Sequence, residues 1–274
     1  MSAVVLCIYF FRVRRREARK VARALWADFR RAMICRKFFA CVLIVPIILL
    51  LSSLDVVLAA FRAGGPLGTG FHIQFLKIAL DSEAMSFCAP ILCALPFTAA
   101  FTEDMSSGFI RAYLPRTSVN RYIRSKNIAC AISGGLSLAL GILCAYALSA
   151  MLFLPREVAP VAGGEIPPAF PDILGTAGLF FLSGAFWSLT GLLFATFTGS
   201  KYMAYASPFV LFYVLIILCE RYFPDLYALY PREWMNPTDK WRLGSFGVLL
   251  ILSVLITVAS AGFYFAAKRR IRSL

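Results

Sequence analysis

The stretch FTEDMSSGFIRAYLPRTSVNRYIRSK, residues 101–126, decides the fold, because this polar segment separates two long apolar runs. It holds five basic residues and two acids. In the whole chain of 274 residues, hydrophobic residues make up 60% of the positions and charged residues 15%. A soluble domain is about half apolar and about a quarter charged, so the composition predicts an all-α integral membrane protein.

Six apolar runs are long enough to cross a bilayer, whose core of about 30 Å needs about 20 helical residues. We therefore predict six transmembrane helices, at about 38–61, 84–101, 128–154, 173–197, 202–223 and 243–267. The second run is the shortest and carries Pro90 and Pro96, which predict a kinked helix. Only Thr198–Lys201 separates the fourth run from the fifth, which predicts a tight hairpin.

The basic residues are distributed unevenly among the segments that join these runs. Of the 28, eleven precede the first run, five lie in residues 101–126, one in Thr198–Lys201 and four in the tail, residues 268–274. Lys and Arg accumulate on the cytoplasmic side, so both termini are predicted to be cytoplasmic in a multi-pass protein of the cell (plasma) membrane. The net charge of +14 therefore reports orientation, and we expect no nucleic acid partner.

Residues 1–37 form a predicted cytoplasmic extension that ends in an amphipathic helix. Its apolar residues recur at four-residue spacing, with one tryptophan beside them: Val21, Leu25, Trp26, Phe29 and Met33. Such a helix lies in the plane of the headgroups of the lipid bilayer, where its cations suit an anionic inner leaflet. The alternative, a soluble tail helix, leaves Trp26 and Phe29 exposed. The role of residues 1–20 stays open between a membrane-dipping segment and an upstream extension.

Residues 101–126 also predict a short cytoplasmic helix, at about 104–115. Four apolar side chains share one of its faces: Phe109, Ile110, Tyr113 and Leu114. Glu103 and Asp104 suit the helix dipole at its start, Ser106 or Ser107 can cap it, and Gly108 keeps the first turn slim. An exposed apolar face predicts docking into a groove of another protein. The alternative is a helix that lies on the membrane or packs on this subunit's own helices.

The sequence lacks the motifs of several other classes of protein. The eight cysteines form no CxxC pair and there is one histidine, so we expect no metal. No GxxxxGK[ST] loop is present, so we expect no nucleotide cofactor in this chain.

Small residues recur at every fourth position in three runs, and such ridges bring helices together within or between subunits. They are Ser133, Ser137 and Gly141, then Gly184 and Ser188, and then Ser253, Thr257 and Ala261.

The order of motifs around residues 101–126 is typical of a known family. The second predicted span ends in Glu103 and Asp104, and then Ser-Gly-Phe-Ile-Arg and LPRTSVNRYIRSK lead into the third. With the amphipathic lead-in and six spans, this order resembles the permease subunits of type-2 ABC transporters. The resemblance covers nearly the whole chain from about Val21.

The resemblance implies a mechanism and partners. The lead-in would be an elbow helix, and residues 104–115 a coupling helix that receives the movement of two cytoplasmic ATPase subunits, which bind ATP and Mg. A second permease subunit, identical or homologous, would complete the path through the lipid bilayer. The resemblance carries the coupling role onto Glu103, Asp104, Gly108, Phe109, Ile110, Arg111, Tyr113 and Arg116. It also implies that Arg116, Arg121 and Lys126 anchor the return to the membrane.

These features lead us to expect a permease subunit of an ATP-driven exporter of a hydrophobic or amphipathic compound, such as a drug, an antimicrobial peptide or a lipid, in a bacterial plasma membrane. The chain itself is not expected to be an enzyme. The alternatives are an ATP-independent secondary transporter or channel, and a membrane-embedded enzyme. Asp55 and Glu220 are candidates for the transport path or interfacial acids that reach water. His72 is interpreted as a loop residue, and residues 224–240 as short interfacial helices of an outer lid.

Overall fold

A computed structural model describes residues 24–62, 64–158, 169–224, 226–238, 241 and 244–273. These residues form α-helices and 3₁₀ turns without a strand, apart from one isolated bridge between Leu67 and Glu157. The α-helices are α1 (Ala24–Met33), α2 (Arg36–Ser52), α3 (Leu54–Arg62), α4 (Phe71–Leu80), α5 (Glu83–Ala94), α6 (Ala100–Ser106), α7 (Phe109–Tyr113), α8 (Val119–Phe153), α9 (Ala169–Thr198), α10 (Lys201–Arg221) and α11 (Gly244–Arg272). The 3₁₀ turns are Leu114–Arg116, Leu154–Arg156 and Tyr227–Leu229.

Four of these helices, α8 to α11, are each long and apolar enough to cross a membrane. A fifth such segment results if α1 and α2, which meet at a bend of 49°, are counted together. The chain is therefore all-helical, with four to five helices of membrane-spanning length among the residues that the structure describes.

Two of the predicted spans are interrupted. The run 38–61 is divided at Ser53, which lies between α2 and α3. The run 84–101 is divided between α5 and α6 by a turn at residues 95–99 that contains Pro96. A proline in a helix interior removes one backbone hydrogen bond and clashes with the preceding turn, so the helix ends there instead of only bending.

The centre of the fold is the contact between α8 and α9. Glycine allows their backbones to approach, because a β-carbon at Gly134 would overlap the side chain of Ser188 and one at Gly184 would lie 2.9 Å from the carbonyl oxygen of Gly134. The Ser188 hydroxyl donates to the Cys130 carbonyl at 3.1 Å. The small-residue ridges of the third and fourth predicted spans are thus used within this chain.

The segment before α5 is more ordered than a loop, and the interpretation of His72 as a loop residue is wrong. His72 is buried in the first turn of α4. Its ring nitrogen Nδ1 lies 2.7 Å from the Glu157 carboxylate, which also accepts from the backbone N–H groups of Gly70 and His72. Glu157 follows the 3₁₀ turn Leu154–Arg156 at the end of α8, and it caps the start of α4, so it joins the end of α8 to the start of α4.

Residues 226–238 fold into one 3₁₀ turn and a series of turns instead of several short helices. Trp234 is fully buried, and its ring stacks on that of Trp187 with centroids 5.7 Å apart. Trp187 lies in α9 and also packs against Phe212 of α10. The segment between α10 and α11 therefore places one side chain inside the helix bundle.

Candidate functional site

The site predicted around residues 104–115 consists of two short helices with a break between them. α6 ends at Ser106, and α7 begins after Gly108, whose φ is +71°. The Ser106 and Ser107 hydroxyls donate back to the carbonyls of Glu103 and Asp104, so neither serine caps α7. A β-carbon at Gly108 would meet nothing within 4 Å. Glycine is needed there for the left-handed backbone and not for a slim first turn.

The apolar face predicted for this helix is divided between the inside and the outside of the chain. Ile110 is 1% exposed and packs into the core, whereas Phe109 is 45% exposed. The Phe109 ring stacks on Tyr113, 5.2 Å away, and Tyr113 in turn packs against Tyr122 of α8. Arg111 is exposed on the same short helix. The structure thus leaves Phe109 and Arg111 accessible and covers Ile110 with this chain's own helices.

A group of charged side chains, of which Asp104 and Lys126 are buried, is joined by Tyr122, which packs against Tyr113 of α7. The Asp104 carboxylate accepts from Arg31 Nη1 at 2.8 Å, from the Tyr122 hydroxyl at 2.8 Å and from Lys126 Nζ at 2.8 Å. Lys126 Nζ also lies 2.8 Å from Asp28 Oδ1. We call these five residues, Asp28, Arg31, Asp104, Tyr122 and Lys126, the ion cluster.

The charges of the ion cluster balance, since two acids face two bases. Lys126 is 1% exposed, and its ammonium lies 5.0 Å from the centre of the Phe97 ring and 5.5 Å from that of Tyr122. A buried charge is tolerated only when it is paired and hydrogen-bonded, and here every charge has such a partner. Burial alone would raise the pKa of the Asp104 carboxyl, but Lys126, Arg31 and Tyr122 outweigh burial and lower that pKa below its usual value.

The ion cluster joins three elements that are far apart in the chain. Asp28 and Arg31 belong to α1, Asp104 to α6, and Lys126 to α8. Any displacement of α6, which α7 follows directly, would therefore act on α1 and α8 through charged hydrogen bonds. The long α8 would carry that displacement along the central contact with α9.

Of the predicted coupling residues, Glu103 and Asp104 occupy different environments. Glu103 is at the surface, 3.8 Å from Arg31 Nη2, whereas Asp104 is buried within the ion cluster and is not accessible to another protein. The side chain of Arg116 lies outside the described part of the structure. Arg121, which was predicted to anchor the return to the membrane, lies on α8 and interacts with another residue.

The sequence interpretation missed Asp28 and Tyr122, and it assigned Lys126 only to membrane anchoring. A signal was present, because Asp28 is an acid in a strongly basic lead-in and Lys126 stands directly before an apolar run. A charge next to a membrane span without an obvious exit to water predicts an internal partner. The identity of that partner depends on tertiary packing.

The predicted elbow helix has a different inner face from the one expected. Ala24 and Ala32 are buried, and Asp28 lies between them at the same four-residue spacing. Trp26 is 66% exposed and stacks on Phe29 with centroids 6.1 Å apart. The small residues therefore face the protein, and Trp26 faces outward beside the half-buried Phe29. Of the other predicted elbow residues, Leu25 and Met33 are half-buried, and Val21 lies outside the described residues.

The two carboxylates predicted for a transport path are on the surface of the chain. Asp55 is exposed in the first turn of α3. Glu220 accepts a hydrogen bond from the Tyr230 hydroxyl at 2.8 Å and lines a cavity of about 250 Å³ together with Glu233. Asp55 does not line that cavity.

Within the described part of the chain, no group of His, Cys, Asp and Glu side chains is arranged to hold a metal ion. No protein-family model, curated protein or solved structure matches the chain. What the fold and the site define is a class: an all-helical chain with four to five helices of membrane-spanning length, and an ion cluster around the buried Asp104 and Lys126 next to a short helix that exposes Phe109.

Proposed function

We propose that this chain is the membrane subunit of an ATP-driven exporter and that α7 receives the movement of a separate ATPase subunit. The observation that carries this proposal is the exposed Phe109 on a short helix whose base is fixed by the ion cluster. An exposed aromatic side chain on a small helix is suited to fill a groove of a partner. Phe109 and Arg111 would form the contact, while Ile110 and Asp104 hold the helix in place.

The proposed transmission starts at α7 and passes through Gly108 to α6. Asp104 then pulls on Lys126 at the start of α8 and on Arg31 in α1. Because Asp104 and Lys126 are buried and the hydrogen bonds of the cluster are short, these elements would move together instead of sliding past one another. Rotation of α8 would alter its contact with α9 and open a path between two membrane subunits.

The proposal includes a membrane arrangement with both ends in the cytoplasm. In it residues 38–61 and 84–101 each cross the membrane, as do α8, α9, α10 and α11. The strongly biased distribution of basic residues supports this orientation. The absence of a phosphate-binding GxxxxGK[ST] loop in the sequence supports a separate subunit for ATP and Mg.

The proposal is tested by truncating Phe109. Phe109→Ala should leave membrane insertion intact and weaken co-purification of the ATPase subunit by about tenfold or more, since about 2 kcal/mol of apolar contact is lost. Phe197→Ala makes the same substitution at an exposed phenylalanine of α9 and serves as the control. Equal recovery of the ATPase with the parent chain and with Phe109→Ala would show that α7 is not the docking helix.

A second measurement separates this proposal from an ATP-independent transporter. The purified chain should hydrolyse no ATP, and vesicles that contain it alone should move no substrate in response to an ion gradient. Transport by the chain alone would favour the secondary-transporter alternative.

A further inference from the structure

A cavity of about 370 Å³ opens beside the junction of α1 and α2. Arg31, Arg36 and Lys37 contribute three cations to its lining, and Glu103 contributes one acid, so the lining has a net charge of +2. Its floor is apolar and consists of residues 95–97, 99 and 100, which connect α5 to α6. We call this cavity the basic groove.

Two of the three cations in the basic groove form no ion pair with an acid among the described residues. Arg31 is held by Asp104 at 2.8 Å and lies 3.8 Å from Glu103. The Lys37 ammonium donates to the hydroxyl of Tyr205 at 3.0 Å, and a neutral phenol does not balance its charge. The Arg36 side chain is exposed and makes no hydrogen bond or ion pair with another described residue.

The position of Arg36 and Lys37 adds to the positive potential of the groove. Both lie in the first turn of α2, which contains no acid. The N-terminal end of a helix carries a positive partial charge and unpaired backbone N–H groups, and the Cys35 side chain accepts only from the N–H of Phe38. Cations are unfavourable at this end of a helix unless an anion lies near them.

We propose that the basic groove binds the phosphate group of an anionic phospholipid through Arg36 and Lys37. Trp26 is exposed on α1, the helix that also carries Arg31 of the groove, and stacks on the half-buried Phe29. Exposed tryptophans of this kind lie at the level of lipid headgroups. α2 leaves α1 at a bend of 49° and is apolar from Phe38 onward. The phosphate thus meets the cations, and the apolar floor receives the glycerol and the first methylenes of an acyl chain.

The site does not depend on the proposed ATPase partner, so it is tested on the purified full-length chain in a neutral detergent. The thermal unfolding midpoint is followed while phosphatidylglycerol, phosphatidylcholine or inorganic phosphate is added. Phosphatidylglycerol should raise the midpoint and phosphatidylcholine should not. The double variant R36Q/K37Q should weaken the apparent affinity for phosphatidylglycerol about thirtyfold.

The control is K268Q/R269Q, which removes two adjacent basic residues near the end of α11 and outside the groove. Lys268 also lies over a tyrosine ring, as Lys37 does, so the two variants are matched. This control should bind phosphatidylglycerol like the parent chain. Equal losses in both variants, or no loss in R36Q/K37Q, would overturn the site.

Inorganic phosphate distinguishes the two sources of the same anion. In one outcome, inorganic phosphate raises the unfolding midpoint as strongly as the lipid does, and only when Arg36 and Lys37 are present. That result would support the phosphate site and assign it to a free anion. If the double variant does not fold, R36Q alone is compared with the parent by native mass spectrometry. Retention of phosphatidylglycerol by R36Q at the parent's occupancy would then overturn the proposal.

Discussion

At the scale of single residues, Lys126 shows what a sequence reveals of a site and what it leaves hidden. Its position before an apolar run is visible in the sequence, as is the acidic pair Glu103 and Asp104. The sequence does not show that Asp104 turns inward and Glu103 outward, because that difference depends on where α1 and α8 pack. Asp28 and Lys126 are 98 positions apart, and no local pattern predicts that they meet.

The first prediction concerns the charge balance of the ion cluster. Lys126→Met keeps the length of the side chain but leaves the carboxylates of Asp28 and Asp104 with Arg31 as the only cation of the cluster. Loss of one partner of a buried ion pair costs about 3–5 kcal/mol, so the free energy of unfolding should fall by that order. Lys77→Met breaks an ion pair with Asp172 whose side chains are more than half exposed, and should cost less than about 1 kcal/mol.

The measurement is the thermal or denaturant stability of both variants in the same lipid–detergent mixture. A Lys126→Met protein as stable as Lys77→Met would show that the ion cluster contributes no more than a surface pair.

The second prediction follows from the lowered pKa of Asp104. Because the pKa in the folded state is below the value of about 3.9 for an unperturbed Asp, the ionised carboxylate stabilises the fold. This contribution is complete above the unfolded-state pKa and is lost as the pH falls through the lowered folded-state pKa. The stability difference between the parent and Asp104→Asn should therefore be constant from pH 5 to pH 8 and should shrink below about pH 4. A difference that changes between pH 6 and pH 8 would assign the titration to another group.

At the scale of elements, the sequence predicted the helices of the third to sixth apolar runs well and the continuity of the first two runs poorly. α8 to α11 follow the third to sixth predicted spans. The second span is divided at a turn that contains Pro96. The first is divided at Ser53, although the neighbouring Ser52 makes only the type of bond that Ser133 and Ser137 also make inside the unbroken α8. α4 was missed because its start is fixed by Glu157, which is distant in sequence.

The third prediction concerns the break between α6 and α7. Gly108 has a φ of +71° and open space around its α-carbon, so a side chain there is strained by the backbone and not by its neighbours. Gly108→Ala should destabilise the chain by about 1–2 kcal/mol, and Gly108→Asn by less, because Asn tolerates the left-handed conformation. The unfolding midpoints of the two variants show which substitution is the more destabilising.

The same pair of variants tests how α7 meets its proposed partner. Co-purification of the ATPase subunit should follow stability, with Ala worse than Asn. If the larger Asn side chain weakens docking more than Ala does, contact with the partner and not backbone conformation is what requires glycine at this position.

At the scale of the whole molecule, composition alone predicted an all-helical chain with several helices of membrane-spanning length, because few other proteins are 60% hydrophobic. The interior arrangement required the structure. The glycines of α8 and α9 show how close two helices approach, whereas the ridge Ser253, Thr257 and Ala261 in α11 has the same spacing and is exposed. Spacing predicts that a ridge can pack, and the fold decides which ridges do so.

The last prediction concerns the number of crossings, which depends on α4, α5 and α6. Gly68 precedes these helices and Ser118 follows them, and both residues are exposed. If α5 with α6 crosses the membrane, single cysteines at Gly68 and Ser118 should react with an impermeant thiol reagent from opposite sides, and a cysteine at Ser273 should react from the same side as Ser118. The reagent is applied to intact cells and to inverted vesicles, in a chain without its native cysteines. Labelling of Gly68 and Ser118 from one side would mean that α4 and α5 enter and leave the membrane on the same face. The charge bias would then place the C-terminal end of the first span on the cytoplasmic side. That result would exclude both the six-span arrangement and the coupling helix.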